Sequence, residues 1–233
     1  MIFEQLFDTK SSTYTYIISS GKGREALIID PVIESTNKYI NILKNLDLKL
    51  VKVIDTHIHA DHISGLNELN KRTKCSKIMG EKSSSEVLDI RVKDNEKIKI
   101  ENIELISMHT PGHTNCSYSF LMNDRVFTGD TLLINGTGRT DFQSGNSHDA
   151  YHSLFNKLLK LPEKTLVYPA HDYSGKKYST IENEKNNNPR LQVSSPEEYA
   201  KIMDNLNLES PDMIDIAVPA NKKGFTLDQL SSN

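Results

Sequence analysis

The chain has 233 residues, 36% hydrophobic and 25% charged, with a formal net charge of −3. That length supports one sizeable core, burying roughly 70–75% of the unfolded surface, and the scattered basic residues exclude a nucleic-acid footprint or a polybasic membrane patch. No apolar run approaches the ~20 residues that a spanning helix needs.

Taken in chain order, strands are expected over 2–7, 13–19 and 25–30, opening directly on the fold rather than on a charged segment followed by an apolar one. In "STNKYINILKNLDL", Tyr39, Ile42, Leu43 and Leu46 recur at helical spacing, with Ser35 or Thr36 as the cap. A strand over 50–55 ends at "HIHADH", and a short helix follows over 65–72. Strands over 103–108, 117–122 and 125–128 feed the loops "HTPGHTNC" and "TGD". A helix over 149–160 has Tyr151, Leu154, Phe155, Leu158 and Leu159 on one face, and a strand over 165–168 leads into "PAHDY". "ENEKNNNPR" reads as a surface loop. Beyond it, Ser195 and Glu198 match a capping box with Pro196 in the first turn, and Tyr199, Ile202, Met203 and Leu206 make the buried stripe. Alternating strands and helices, with polar clusters at strand ends, predict a layered α/β architecture and a site at one sheet edge. No repeat and no linker interrupts it, so one domain is expected over 1–233. Two cysteines, Cys75 and Cys116, make no disulfide framework and suit a reducing compartment, hence a cytoplasmic location, or a mitochondrial one if a leader has been removed.

The chemistry lies in the strand-end loops. His57, His59, Asp61 and His62 fall within six positions, a pattern that chance gives about once in a thousand such chains. Four donors in one tight turn cannot all face one ion, so the remaining ligands must come from elsewhere. His113 in "TPGHT", Asp130 in "TGD" and His171 in "PAHDY" each follow a predicted strand. Seven candidate donors of this kind make a metal site. His109, His148 and His152 lack partners in the pattern and read as ordinary structural histidines, and Cys116 as a small buried hydrophobe.

"HIHADH", "TPGHT", "TGD" and "PAHDY" resemble the metallo-β-lactamase fold, an αββα sandwich of two mixed sheets with the metal site at their edges. In that superfamily, His57, His59 and His113 would form one metal position and Asp61, His62 and His171 the other, with Asp130 between them. "NGTGRTDFQSG", "YPAHDYSG", "NPRL" and "KIMDNLNLESPDMIDIAVPAN" are similar to persulfide dioxygenases, over nearly the whole chain. That resemblance implies one Fe(2+) per chain, held by His57, His113 and Asp130. His59, Asp61, His62 and His171 would then support the ligands or mark a second metal position. The implied reaction turns glutathione persulfide, O2 and water into sulfite and glutathione, with no catalytic residue beyond the iron and its ligands. No nucleic acid or membrane partner is implied, and a homodimer is compatible.

A glutathione-like substrate brings two carboxylates, and Arg139 in "GRTDF" offers a fork to grip one. The competing role is an ion pair with Asp141. Tyr173, two residues past His171, would place a phenol near the metal, while Arg190 reads as structural. The alternative function is a thioester hydrolase of the glyoxalase II kind, with two metals and a bridging hydroxide. A silent metal- or thiol-binding protein is a third class, disfavoured by the complete donor set.

Overall fold

The computed structural model describes residues 1–231. Alternation along the first strands creates two apolar faces at once. In β1 (Ile2–Asp8), β2 (Thr13–Ser19) and β3 (Glu25–Ile29), Tyr14, Tyr16, Ile18, Leu27 and Ile29 join one cluster, and Ile17, Ala26 and Ile28 another. After α1 (Thr36–Asn45), β4 (Lys49–Ile54) pairs parallel with β3; after α2 (Leu66–Thr73), β5 (Ser76–Gly80) pairs parallel with β4, and β6 (Ile90–Val92) closes the sheet. The order is β1-β2-β3-β4-β5-β6.

The second sheet holds β7 (Lys97–Ile100), β8 (Ile103–His109), β9 (Tyr118–Met122), β10 (Arg125–Gly129), β11 (Leu166–Pro169) and β12 (Ser179–Thr180), in the order β12-β11-β10-β9-β8-β7. Only β10 and β11 pair parallel there, joined through α3 (Ser147–Asn156). The chain then runs through α4 (Ile181–Asn187), α5 (Pro196–Asp204), α6 (Ile214–Lys223) and α7 (Leu227–Leu230).

Between the sheets lies an aromatic core, with the Tyr16 ring 4.9 Å from Phe127 and 5.6 Å from Tyr168. Tyr39 and Leu43 of α1 and Leu66 and Leu69 of α2 cover the outer face of the first sheet. Leu154 of α3, with Tyr199 and Met203 of α5, covers the second. This is the expected αββα sandwich. Among the described residues no helix is long and apolar enough to cross a membrane.

Several local expectations give way. "ENEKNNNPR" is not a loop: α4 begins one residue before it and runs to Asn187, capped by the Thr180 hydroxyl, which accepts the Asn183 N–H at 3.1 Å. Its inward face is hidden from a hydropathy reading because it buries a carboxylate. Glu184 accepts from Asn188 Nδ2 at 2.8 Å and from the Asn135 N–H at 2.9 Å, and also from Ser179. Ser35 holds the N-cap position of α1 but its side chain makes no capping bond, and the Thr36 hydroxyl donates to the Ile33 carbonyl. α3 starts at Ser147, where Asn146 caps it, and gives way to a 3-10 turn over Leu158–Lys160. The capping box of α5 is displaced: Ser195 accepts the Glu198 N–H, but the Glu198 carboxylate accepts from Ser194. β5, β6 and β7 are too short to show a period, and Pro219 inside α6 interrupts the helical pattern that would have announced it.

Candidate metal centre

Strand ends deliver the donors to one edge. Asp30 follows β3, the His57–His62 turn follows β4, His113 lies in the β8–β9 loop, Asp130 follows β10 and His171 follows β11. His113 Nε2 lies 3.6 Å and His57 Nε2 4.0 Å from Asp130 Oδ2, and the three donor atoms lie within 4.8 Å of one another. Donors about 2.0–2.2 Å from one ion and spread by ~90–120° are roughly 2.8–3.8 Å apart, so one ion could gather this set once the His57 ring and the Asp130 carboxylate draw slightly closer.

The hydrogen bonds behind the rings fix which nitrogen is free. His113 Nδ1 faces the Arg139 carbonyl at 2.8 Å; a carbonyl only accepts, so Nδ1 carries the proton and Nε2 presents its lone pair. Thr56 donates its N–H at 2.7 Å and its hydroxyl at 3.0 Å to Asp30, leaving its oxygen to accept His57 Nδ1–H at 2.9 Å. Burial, with His59 and His113 alongside, holds His57 well below the usual histidine range, in its neutral, ligating form. Burial would raise the Asp130 carboxyl, yet the imidazoles of His171, His113 and His57 outweigh it and hold that carboxyl well below the usual range. Two imidazoles and one carboxylate on one side of an ion are the donors of a two-histidine, one-carboxylate site.

His59, Asp61 and His62 form a second group. His59 Nε2 donates to Asp30 at 3.2 Å and His62 Nδ1 to Asp61 at 2.8 Å. His59 Nδ1 and His62 Nε2 are buried and have no hydrogen-bond partner among the described residues, the condition of nitrogens that could face an ion. His171 is different: Nδ1 lies 2.7 Å from Asp130 Oδ1 and Nε2 2.8 Å from Asp61 Oδ2, so carboxylates engage both nitrogens. Burial works against its charge, but Asp130 and Asp61 prevail and lift it well above the usual histidine range.

A cavity of about 450 Å³ opens over His113, Asp130, Asp61 and His171, and Arg139, Tyr173, Arg190 and Leu208 also line it. Arg139 does make the ion pair with Asp141, through two bonds of 2.7 Å, and gives its remaining contacts to the carbonyls of Glu209 and Leu208. Tyr173 is 79% exposed at the mouth, its ring parallel to His171 within 6°. Arg190, expected to be merely structural, contacts the Thr137 carbonyl and has no carboxylate partner among the described residues. His109 bonds the Asn115 carbonyl and His152 bonds Asn156; neither they nor His148 join the cluster.

Five supporting residues escaped the sequence reading. Thr13 is fully buried, with its hydroxyl 3.1 Å from His171 Nε2 and 3.2 Å from Asp61 Oδ2. Asp30 and Thr56 orient His57 and His59. Gly138 has no room for a side chain, since a Cβ would lie 2.1 Å from the Asp130 carbonyl oxygen and 3.0 Å from His113 Cβ. Asn221 of α6 donates to the His59 and His62 carbonyls at 2.9 Å each. Asp30 had a signal, an acid ending an apolar run like Asp130; nothing local marked the others.

Residues 8–171 match the model of the Metallo-beta-lactamase superfamily. The chain is 43% identical over 226 residues to the mitochondrial persulfide dioxygenase ETHE1 of Mus musculus, covering 96% of this chain and 88% of that one. It is 33% identical to a hydroxyacylglutathione hydrolase of Dictyostelium discoideum, over 75% of this chain and 68% of that protein. The crystal structure of ETHE1 from Myxococcus xanthus superposes with a TM-score of 0.93 at 46% identity, covering 95% of this chain and 98% of that one.

Proposed function

The chain belongs to the metallo-beta-lactamase superfamily and, within it, to the persulfide dioxygenases, and on that premise we propose that it oxidises glutathione persulfide with O2 and water to glutathione, sulfite and two protons. The observation that carries this reading is the set of His57 Nε2, His113 Nε2 and Asp130 Oδ2, each turned toward the others by a bond behind it, with His113 and Asp130 lining the cavity. One Fe(2+) held there would supply the change of oxidation state that chemistry with O2 needs, which redox-silent zinc cannot. The protein's part is to hold donors and substrate. Asp30, through Thr56, keeps His57 in the ligating tautomer, and the Arg139 carbonyl does the same for His113. His59, Asp61, His62 and His171 support that set, since Asp61 Oδ2 and both nitrogens of His171 are committed to one another and to their neighbours.

For the substrate tail, Arg190 is the better cation. A half-buried guanidinium without a counter-ion is costly, and a substrate carboxylate in the cavity would meet it. Four bonds already engage the guanidinium of Arg139. Tyr173 sits at the mouth, where its phenol can donate to the substrate.

The unpartnered nitrogens of His59 and His62 favour a second reading, a thioester hydrolase with an ion in each group. An oxygen electrode separates the two. Oxygen uptake with glutathione persulfide and about one iron per chain support the dioxygenase; two metals per chain with thioester cleavage and no uptake would replace it.

A further inference from the structure

The segment 205–213 links α5 to α6 and passes over the metal-site cavity, where Leu208, Glu209 and Pro211 form part of the wall. At its ends, the Leu206 N–H bonds Met203 and the Ile214 N–H bonds Pro211. Met213 accepts from the Ile216 and Ala217 N–H groups of α6, but over 207–210 the polar tethers beyond the segment, among the described residues, come from one side chain. Arg139 Nη1 donates to the Glu209 carbonyl at 2.5 Å, and Nη2 to the Leu208 carbonyl at 3.2 Å.

That guanidinium is itself built in. Asp141 grips it from behind through two bonds of 2.7 Å, and the Phe142 ring lies 4.4 Å beneath it. Leu208 is 47% exposed. It stands between two cavities: the one of about 450 Å³ over the metal residues, and another of about 570 Å³ beyond it, walled by Asp141, Asn146, Met203 and Leu206. Arg139 and Leu208 line both, so together they are the partition.

We propose that Arg139 is the clasp of a strap over 207–211, and that the closed strap sets how large a thiol carrier the site accepts. The carrier-selection part rests on the persulfide reading above; the clasp does not. With the clasp made, the inner cavity ends at Leu208 and favours a short carrier. When the two carbonyl bonds break, Leu208 swings away, the two cavities join, and a longer carrier gains room for its tail. A segment this poor in buried contacts and backbone bonds belongs to the low-stability end of a fold, as lids do. The clasp also adjoins the metal site, because the Arg139 carbonyl is the group that holds His113 Nδ1.

Glu209, exposed within the strap, makes the clasp measurable without enzyme activity. A glutamyl endopeptidase should cleave after Glu209 about tenfold faster in Arg139→Gln than in the wild type, since cleavage of a loop tracks its open population. Arg139→Lys, which keeps a cation near Asp141 but cannot fork across two carbonyls, should fall between. In oxygen-uptake assays, the ratio of kcat/KM for coenzyme A persulfide to that for glutathione persulfide should rise about tenfold in Arg139→Gln. Equal cleavage in the wild type and Arg139→Gln would overturn the clasp. Faster cleavage with an unchanged ratio would overturn carrier selection. No oxygen uptake by the wild type with either persulfide would remove the dioxygenase reading and carrier selection with it, while cleavage still decides the clasp.

Discussion

The Asn221 side chain donates to the His59 carbonyl at 2.9 Å across 162 positions of sequence, tying α6 to the turn that carries His57, His59 and His62. The same amide donates to the His62 carbonyl at 2.9 Å, and its oxygen accepts the Ser64 N–H at 2.8 Å. One side chain thus satisfies three backbone groups of a turn whose own geometry leaves them unpaired.

Asn221→Ala should therefore lower stability by about 3 kcal/mol, at roughly 1 kcal/mol per lost bond, and weaken metal binding about 10–100-fold. Asn221→Asp keeps only the acceptor and should recover little of the affinity. Thermal unfolding and metal titration check both, and wild-type affinity in Asn221→Ala would show that the turn holds its shape unaided.

His113→Ala and Asp130→Ala should each empty the metal site, while His62→Ala should keep most of the metal. His62 Nε2 lies outside the three-donor group, and its ring leans on Asp61 rather than on Asp130. Metal analysis of the purified variants decides the matter. If His62→Ala strips metal as fully as His113→Ala, the ion sits elsewhere than between His57, His113 and Asp130.

Arg190→Leu should raise KM for glutathione persulfide about 10–100-fold, the loss of one charge-assisted contact, and leave kcat within about threefold. The contact is made equally before and during the reaction, so it contributes to binding rather than to turnover. Steady-state kinetics separate the two, and a drop in kcat at constant KM would contradict this placement of the substrate tail.

Tyr16 should set an alkaline limit on stability. It is buried between the sheets, and burial raises its phenol well above the ordinary value of 10, while its hydroxyl donates to the Pro169 carbonyl. Below pH 10 the phenol is protonated in both states and contributes no pH dependence. Above that, the unfolded chain ionises while the fold keeps the proton, so stability falls by up to ~1.4 kcal/mol per pH unit. Tyr16→Phe should cost about 1 kcal/mol at pH 8 and make the decline above pH 10 shallower, as urea midpoints across pH 8–11 would show.

Much of the fold was legible because its strands and three of its helices bury hydrocarbon with a regular period. β2 and β3 are short apolar runs buried on both faces, and α1 and α5 show their stripes. α4 was not legible, because its buried face offers one hydrocarbon, Ile181, and then Glu184 held by hydrogen bonds, and hydropathy carries no record of a partner. α6 was obscured by Pro219, a residue that argues locally against the helix that packing enforces.

By itself, the sequence determined the donor inventory. Residue type fixes which atoms can bind a metal, and the spacing of His57, His59, Asp61, His62, His113, Asp130 and His171 at strand ends placed them all at one sheet edge. What only the tertiary structure decided is how those donors divide. Tautomers and free lone pairs depend on what stands behind each ring: Asp30 and Thr56 behind His57, the Arg139 carbonyl behind His113, and two carboxylates around His171. It also supplied the contacts on which the proposed roles of Arg139 and Arg190 rest. Asp141 grips the first guanidinium through two bonds, and among the described residues no carboxylate reaches the second.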